Sequence, residues 1–117
     1  MQEDGIKLLI VGSRKLKDFD ISLYIPKNVT HILSGGAEGV DTLAEQYADR
    51  HKISKIILYP RYDLYKKGAP LVRNDQLVDM CDRVLAFWDG KSRGTKHTID
   101  YARKVGKPVN VITEILF

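Results

Sequence analysis

Three segments of this chain place glycine beside hydroxyl and charged side chains: Gly12-Ser13-Arg14, Ser34-Gly35-Gly36-Ala37-Glu38-Gly39-Val40-Asp41 and Asp89-Gly90-Lys91-Ser92-Arg93-Gly94-Thr95. Glycine lets backbone N–H groups come close to an anion, a helix starting just beyond adds its dipole, and arginine adds a charged, bidentate donor. The chemistry these residue types point to is the holding of a phosphate. Gly35, Gly36 and Gly39 fit a backbone cradle, with Ser34 as a hydroxyl donor. Ser92, Arg93, Gly94 and Thr95 repeat the composition in a second loop, and Gly12, Ser13 and Arg14 supply a third. A tight turn needs glycine for its geometry alone, so it is the recurrence with Ser, Thr and Arg that carries the reading. Neither long loop carries the complete pattern of a glycine, four variable residues and Gly-Lys-Ser/Thr, which argues against ATP hydrolysis of the Walker type.

Acids stand beside these glycines. Glu38, Asp41 and Asp89 are candidates for work on a ribose; equally, Asp41 suits the stabilisation of a helix N-terminus and Asp89 a turn ahead of Gly90. Arg73 and Asn74, spaced from Leu77 and Cys81 on one helical face, need polar partners; Arg73 either lies at the rim with its charged end in solvent or points over the strand ends toward an anion. His97, one turn into a helix, is either a surface residue or a visitor to the site. Trp88 either packs in the core or stacks on a base. Tyr59, Tyr62 and Tyr65 with Lys66 and Lys67 occupy the longest loop, a candidate lid or subunit contact that leaves a homo-oligomer open.

The elements that must position these residues are written in the hydrophobic pattern. Ile6–Val11 is a nearly continuous apolar run ending at Gly12, as expected of a strand buried on both faces of a parallel sheet. Similar segments return at His31–Ser34, Lys55–Tyr59, Arg83–Trp88 and Pro108–Thr113, giving five strands. Val40, Leu43, Ala44, Tyr47 and Ala48 make one apolar helical face. Asp18–Ile25, stopped by Pro26, reads as a short helix with Ile21, Tyr24 and Ile25 inward. A third helix runs from Pro70 to about Cys81 with Leu77, Met80 and Cys81 inward. A fourth spans about Thr95–Val105, burying Ile99, Ala102 and Val105, with Gly106 as a left-handed cap. This alternation predicts an α/β three-layer sandwich, helices on both faces of a parallel sheet, with ligands bound just after the strands.

Length and composition set the frame. The 117 residues make one domain, 1–117, on a prior of about 100–200 residues each. With 44% hydrophobic and 29% charged residues, neither disorder nor low complexity is supported. Cys81 is the single cysteine, so there is no intrachain disulfide and no cysteine-rich zinc site; neither metal nor cofactor is expected. The longest apolar runs, such as Leu8–Val11 and Val84–Trp88, fall far short of the roughly 20 residues of a membrane span. Met1-Gln2-Glu3-Asp4-Gly5 carries acids where a signal peptide carries lysines, and a cytoplasmic location is the expectation. Nineteen Lys and Arg against fifteen Asp and Glu give a net charge of +4, a mild bias toward anionic partners.

Four motifs in order carry a resemblance: Val11-Gly12-Ser13-Arg14, Ser34 to Ala44, Gly68-Ala69-Pro70 with Arg73-Asn74, and Ala86 to Thr95 with Thr98-Ile99. Over nearly its whole length the chain resembles the YspA-like branch of the SLOG superfamily, whose relatives include the Smf/DprA DNA-uptake proteins and the Lonely Guy phosphoribohydrolases. The resemblance implies a Rossmann-like sheet of order 3-2-1-4-5 and a site for a nucleotide or nucleotide-derived ligand. In the phosphoribohydrolases an Arg followed by Lys, and a Glu three positions after Gly-Thr, serve catalysis on the ribose. Here Arg73 matches the Arg, Asn74 replaces the Lys, and the position of the Glu is Thr98, which holds no negative charge to stabilise an oxocarbenium-like centre.

Three readings follow. One is a sensor or carrier that binds a nucleotide-derived small molecule without turnover. Another is an N-glycosidic nucleotide hydrolase using Arg73 with an acid among Glu38, Asp41 and Asp89. The third is a single-stranded nucleic-acid binder like the DprA proteins, favoured by charge but not by a visible basic-aromatic stripe.

Overall fold

The apolar run at the start of the chain forms β1 (Ile6–Gly12), and its side chains divide between two cores as a strand of period two requires. Leu8 and Ile10 enter one core and Leu9 and Val11 the other, all but withdrawn from solvent. This computed structural model describes residues 5–115; the Met1–Asp4 segment, read above for its lack of signal-peptide character, lies outside the described residues. With β2 (Val29–Ser34), β3 (Ser54–Ile57), β4 (Arg83–Phe87) and β5 (Val109–Ile112), β1 builds a five-stranded sheet of order β3-β2-β1-β4-β5. Every pairing is parallel, so the order and the strand direction are those expected.

Helix α1 (Val40–Arg50) covers one face through Val40, Ala44, Tyr47 and Ala48, as its apolar spacing requires. On the opposite face lie α3 (Ala69–Met80) and α4 (Arg93–Lys104), packed over Leu9, Val11 and Leu33. The result is a three-layer Rossmann-like sandwich. Gly106 adopts φ +81°, the left-handed conformation expected after α4.

Four expectations need correction. The Asp18–Ile25 helix is a single 3-10 turn over Ile21–Tyr24. The Asp20 carboxylate caps it, accepting from Ser22 N–H at 3.0 Å, and Ile25 is already extended because the following Pro26 disfavours the helical region. Only one turn fits between these two signals. Its anchor is Ile21, while Phe19 and Tyr24 set their rings 5.0 and 5.2 Å from Phe87. Met80 does not face inward but is 41% exposed; the buried side of α3 runs through Arg73, Leu77, Val78 and on to Cys81. Val105 is 42% exposed, because α4 ends at Lys104 and Val105 turns away from its Thr95, Thr98, Ile99 and Ala102 face. Finally, β3 stops at Ile57, and the tyrosine-rich loop beyond it folds into a short helix α2 (Tyr62–Tyr65) and a 3-10 turn (Lys66–Gly68) leading into α3.

The topology fixes where a site can form. From β1 the chain passes to β2 on one side, while β4, on the other side, is reached through α3 across the opposite face. The connections after β1 and β4 therefore diverge, opening a crevice above the carboxyl ends of the strands.

Candidate functional site

A cavity of about 480 Å³ fills that crevice. The end of β1 contributes Gly12, Ser13, Arg14 and Lys15; the turn after β2 contributes Gly35 and Ala37. Asp41 comes from the first turn of α1, Arg73 and Asn74 from α3, and Asp89, Lys91, Ser92, Gly94, Thr95 and Thr98 from the loop after β4 and the start of α4. A second cavity of about 460 Å³ adjoins it over the end of β2, where Gly36, Glu38, Thr42 and Pro60 form the wall. The two share Arg14, Gly35, Ala37 and Arg73, so they are halves of one groove divided by two arginines.

Arg73 is 93% buried by its 7% exposure, which is unusual for a guanidinium and requires partners. Its Nη1 donates to the carbonyls of Gly35 and Leu58, the latter at 3.4 Å, and its Nε donates to Asn74 Oδ1 at 2.7 Å. Nη2 makes no hydrogen bond among the described residues, although the side chain lines both halves of the groove. Burial pulls the Arg73 pKa below its ordinary value; the Asp41 charge opposes that pull and Arg14 reinforces it. Two guanidiniums thus stand within electrostatic reach of one another. Arg14, Lys15 and Lys91 make no ion pair among the described residues, so their charges are available to a ligand.

The turn after β2 is built differently from the open cradle expected of it. The Ser34 hydroxyl donates to Glu45 Oε2 at 2.7 Å and accepts from Gly36 N–H at 3.1 Å. Its only proton is committed to Glu45, so Ser34 is a support of the turn rather than a donor to a ligand, and it lines neither cavity. Asp41 Oδ2 accepts from Ala37 N–H at 3.1 Å. Burial pushes the Asp41 carboxyl above the usual carboxylate range, against the lowering effects of the Ala37 N–H, the Arg73 charge and the Gly35 N–H. The chain's own carboxylate therefore occupies the nest of backbone donors.

The glycines are explained largely by what packs on them. A Cβ on Gly12 would lie 2.5 Å from Val40 Cγ2 and 2.8 Å from the Phe87 carbonyl oxygen. One on Gly35 would lie 2.8 Å from Arg73 Cζ, so the guanidinium rests on bare backbone there. Gly36 and Gly39 have φ of +69° and +73°, and Gly39 abuts the backbone of Arg14 without lining either cavity.

The loop after β4 is held by Asp89, whose Oδ1 accepts from Lys91 and Ser92 N–H, each at 2.8 Å. The Ser92 N–H and then the Lys91 N–H hold its carboxyl below the usual range. The turn role is thus realised, with the carboxylate still on the cavity wall. Ser92 caps α4, accepting from Thr95 N–H, and Trp88 donates its indole N–H to the Ser92 carbonyl at 3.1 Å. Trp88 serves as a brace packed against the core. Thr98 is fully buried and donates to the Gly94 carbonyl at 3.0 Å.

Of the residues singled out from the sequence, Gly12, Ser13, Arg14, Gly35, Asp41, Arg73, Asn74, Asp89, Ser92, Gly94 and Thr95 converge on the larger cavity, and Gly36 and Glu38 on the smaller. Arg93 does not join them: it is exposed at the first position of α4 and lines neither cavity. His97 turns away to meet Asp75 Oδ1 at 2.8 Å. Lys15 and Lys91, absent from the sequence motifs' candidate site residues, also line the larger cavity; their position just after strand ends is the signal that points to them. Among the described residues, no group of three or more His, Cys, Asp or Glu side chains is gathered to hold a metal ion. No described helix is long and apolar enough to cross a membrane.

An α/β sandwich of this strand order, with a basic groove at the switch point, belongs to the Rossmann-like class. No protein-family model matches the chain. It is 29% identical to the Gene 61 protein of Mycobacterium phage D29 over 119 aligned residues, covering 88% of this chain and 93% of that protein. Among solved structures it is similar to DNA processing protein A from Helicobacter pylori, a structure described for its single-stranded DNA binding mode. That likeness has a TM-score of 0.73 and 25% sequence identity, and covers 97% of this chain and 67% of the other. It supports the SLOG-related, Smf/DprA-like fold inferred from the motifs.

Proposed function

We propose that residues 1–117 act as a single cytoplasmic domain of the YspA-like SLOG type that holds the phosphate of a nucleotide-derived ligand, as a sensor or carrier. The observation that carries this reading is the placement of Arg14 and Arg73 on the wall shared by both cavities, with Arg73 buried and its Nη2 unpaired among the described residues. Paired guanidiniums at the end of a parallel sheet are suited to a phosphate through charge-assisted, bidentate contacts. Gly12, Ser13, Ser92, Gly94 and Thr95 would shape the cavity around the attached sugar. Turnover is disfavoured by the acids: Asp41 is committed to Ala37, Asp89 to its own loop, and Thr98 stands where a phosphoribohydrolase has Glu.

A second reading, single-stranded nucleic acid, is favoured by the likeness to DNA processing protein A and by exposed tyrosines beside basic side chains. Tyr59 and Tyr62 are 64% and 56% exposed, with Arg61, Lys66 and Lys67 in the same loop. Exposed aromatic rings beside cations are what base stacking and phosphate contact require.

Thermal melting with millimolar AMP or ADP-ribose tests the first reading, since a ligand bound only by the folded state raises the melting temperature. A melting curve unmoved by either would reject it. Oligothymidylate binding that falls steeply with added salt would favour the second.

A further inference from the structure

The charge balance of the groove, and the position of one acid in it, point beyond a generic phosphate site. Four cationic side chains line the two halves: Arg14, Lys15, Arg73 and Lys91. Three carboxylates oppose them, Glu38, Asp41 and Asp89, leaving a single net positive charge. Asp41 is the one that matters most, because its carboxylate fills the backbone nest beside Arg73, at the dividing wall. A terminal phosphate held end-on would need those N–H groups, and it would bring close to two negative charges against a buried carboxylate. A phosphate approached from the side by Arg14 and Arg73 needs neither. It would also lie on the divide, with about 480 Å³ of space on one side and about 460 Å³ on the other.

Resting on the phosphate-binding reading, we infer that Asp41 is a specificity-determining residue: it disfavours terminal phosphomonoesters and selects a singly charged, internal phosphodiester whose two substituents occupy the two halves of the groove. The ligand chemistry is that of a dinucleoside monophosphate, which a free dinucleotide and a nucleic-acid strand share. Asp41 acts by occupying the donors and offsetting charge, and no bond in the ligand is broken.

Calorimetric titration of the full chain with the dinucleotide ApA, with AMP and with octathymidylate tests this. ApA is expected to bind at least tenfold more tightly than AMP, despite its smaller charge. Asp41→Asn keeps an oxygen for the Ala37 N–H and removes the charge. Because Coulomb energy scales with ligand charge, a tenfold gain for AMP should accompany a gain of about threefold for ApA, narrowing the preference. Thr42→Trp, at an exposed position on the wall of the smaller half, is expected to bring ApA down to the affinity of AMP. Octathymidylate binding well above ApA, beyond the statistical gain from its extra linkages, would assign the diester to a strand; equal affinity would assign it to a dinucleotide. AMP binding as tightly as ApA in the unmodified protein would overturn the inference while leaving the phosphate site standing. So would an unchanged preference in Thr42→Trp, or equal factors for both ligands in Asp41→Asn. Absence of binding by all three probes would overturn the phosphate-binding reading itself.

Discussion

Gly12→Ala and Gly94→Ala separate a glycine needed for packing from one facing open space. At Gly12, at the carboxyl end of β1, the added Cβ meets Val40 Cγ2 at 2.5 Å, the Phe87 carbonyl oxygen at 2.8 Å and Val40 Cβ at 2.9 Å. None of these can yield easily. Val40 is fully buried at the start of α1, and the Phe87 carbonyl, set in β4, already accepts from Ser13 N–H. Overpacking of this kind costs about 1–3 kcal/mol. At Gly94 nothing lies within 4 Å of an added Cβ, and the residue sits in the first turn of α4. There alanine should stabilise by about 0.4–1 kcal/mol, by restricting the unfolded chain.

Urea denaturation without any nucleotide is the assay. With a slope of about 2 kcal/mol per M, the Gly12→Ala midpoint should fall by roughly 0.5–1.5 M and that of Gly94→Ala should rise by roughly 0.2–0.5 M. Because Gly94 lines the larger cavity, any loss of nucleotide affinity in that folded variant reports on the site. A Gly12→Ala protein as stable as the parent would show that the close approach of α1 and β4 to that turn is not what requires glycine. A Gly94→Ala protein destabilised by more than about 1 kcal/mol would refute the open space.

Arg73→Ala should weaken AMP or ApA binding at least tenfold, about 1.4 kcal/mol, whereas Arg93→Ala, outside both cavities, should leave it unchanged in the same calorimetry. Equal losses in both would move the anion to the start of α4. The Asp41 carboxyl is raised in the folded state, so folding takes up a proton between its ordinary value and the raised one, and its contribution to stability declines as pH rises through that window. Asp41→Asn should accordingly be more stable than the parent near pH 7, with an advantage that shrinks toward pH 4; an advantage that grows in acid would contradict burial as the dominant cause. Overnight incubation with AMP, GMP, CMP or UMP should release no free base on chromatography, while efficient release would restore the hydrolase reading with one of the groove's acids as its catalyst.

The strands were legible because a parallel sheet buried on both faces leaves a nearly continuous apolar signature, as Ile6–Val11 and Val84–Phe87 do, whereas their order was carried by the resemblance of the motifs and not by the apolar pattern. Helix α1 was legible for the complementary reason: one side buried and one wet give a clean period. The Asp18–Ile25 segment failed that test. Its inward residues suit a helix, but Asp20 starts the turn late and Pro26 ends it early, and local capping outweighs periodicity over so short a span. Met80 and Val105 were misplaced for another reason, since each lies at a helix end where the buried stripe has already rotated away or the helix has stopped. Arg93 shows the limit for the site: a residue can stand in a loop motif at the right strand end and still begin a helix on the side facing solvent.

The glycine-rich turn after β2 makes the deeper point about reading sites from sequence. In this turn glycine reports a close approach or a positive φ; it does not report what approaches. At Gly35 the visitor is the Arg73 guanidinium, at Gly39 the Arg14 backbone, and the donors that follow are taken by Ser34 and Asp41. The same pattern would be written by a turn that wraps a ligand phosphate. What separates the two is the acid in the first turn of the next helix, because a carboxylate able to reach back to the nest competes with any anion for the same N–H groups. On the proposed reading anion recognition then passes from backbone to side chains, and Arg14 and Arg73, which would carry it, come from two places in the chain, the end of β1 and the buried face of α3, that only the folded sheet brings together.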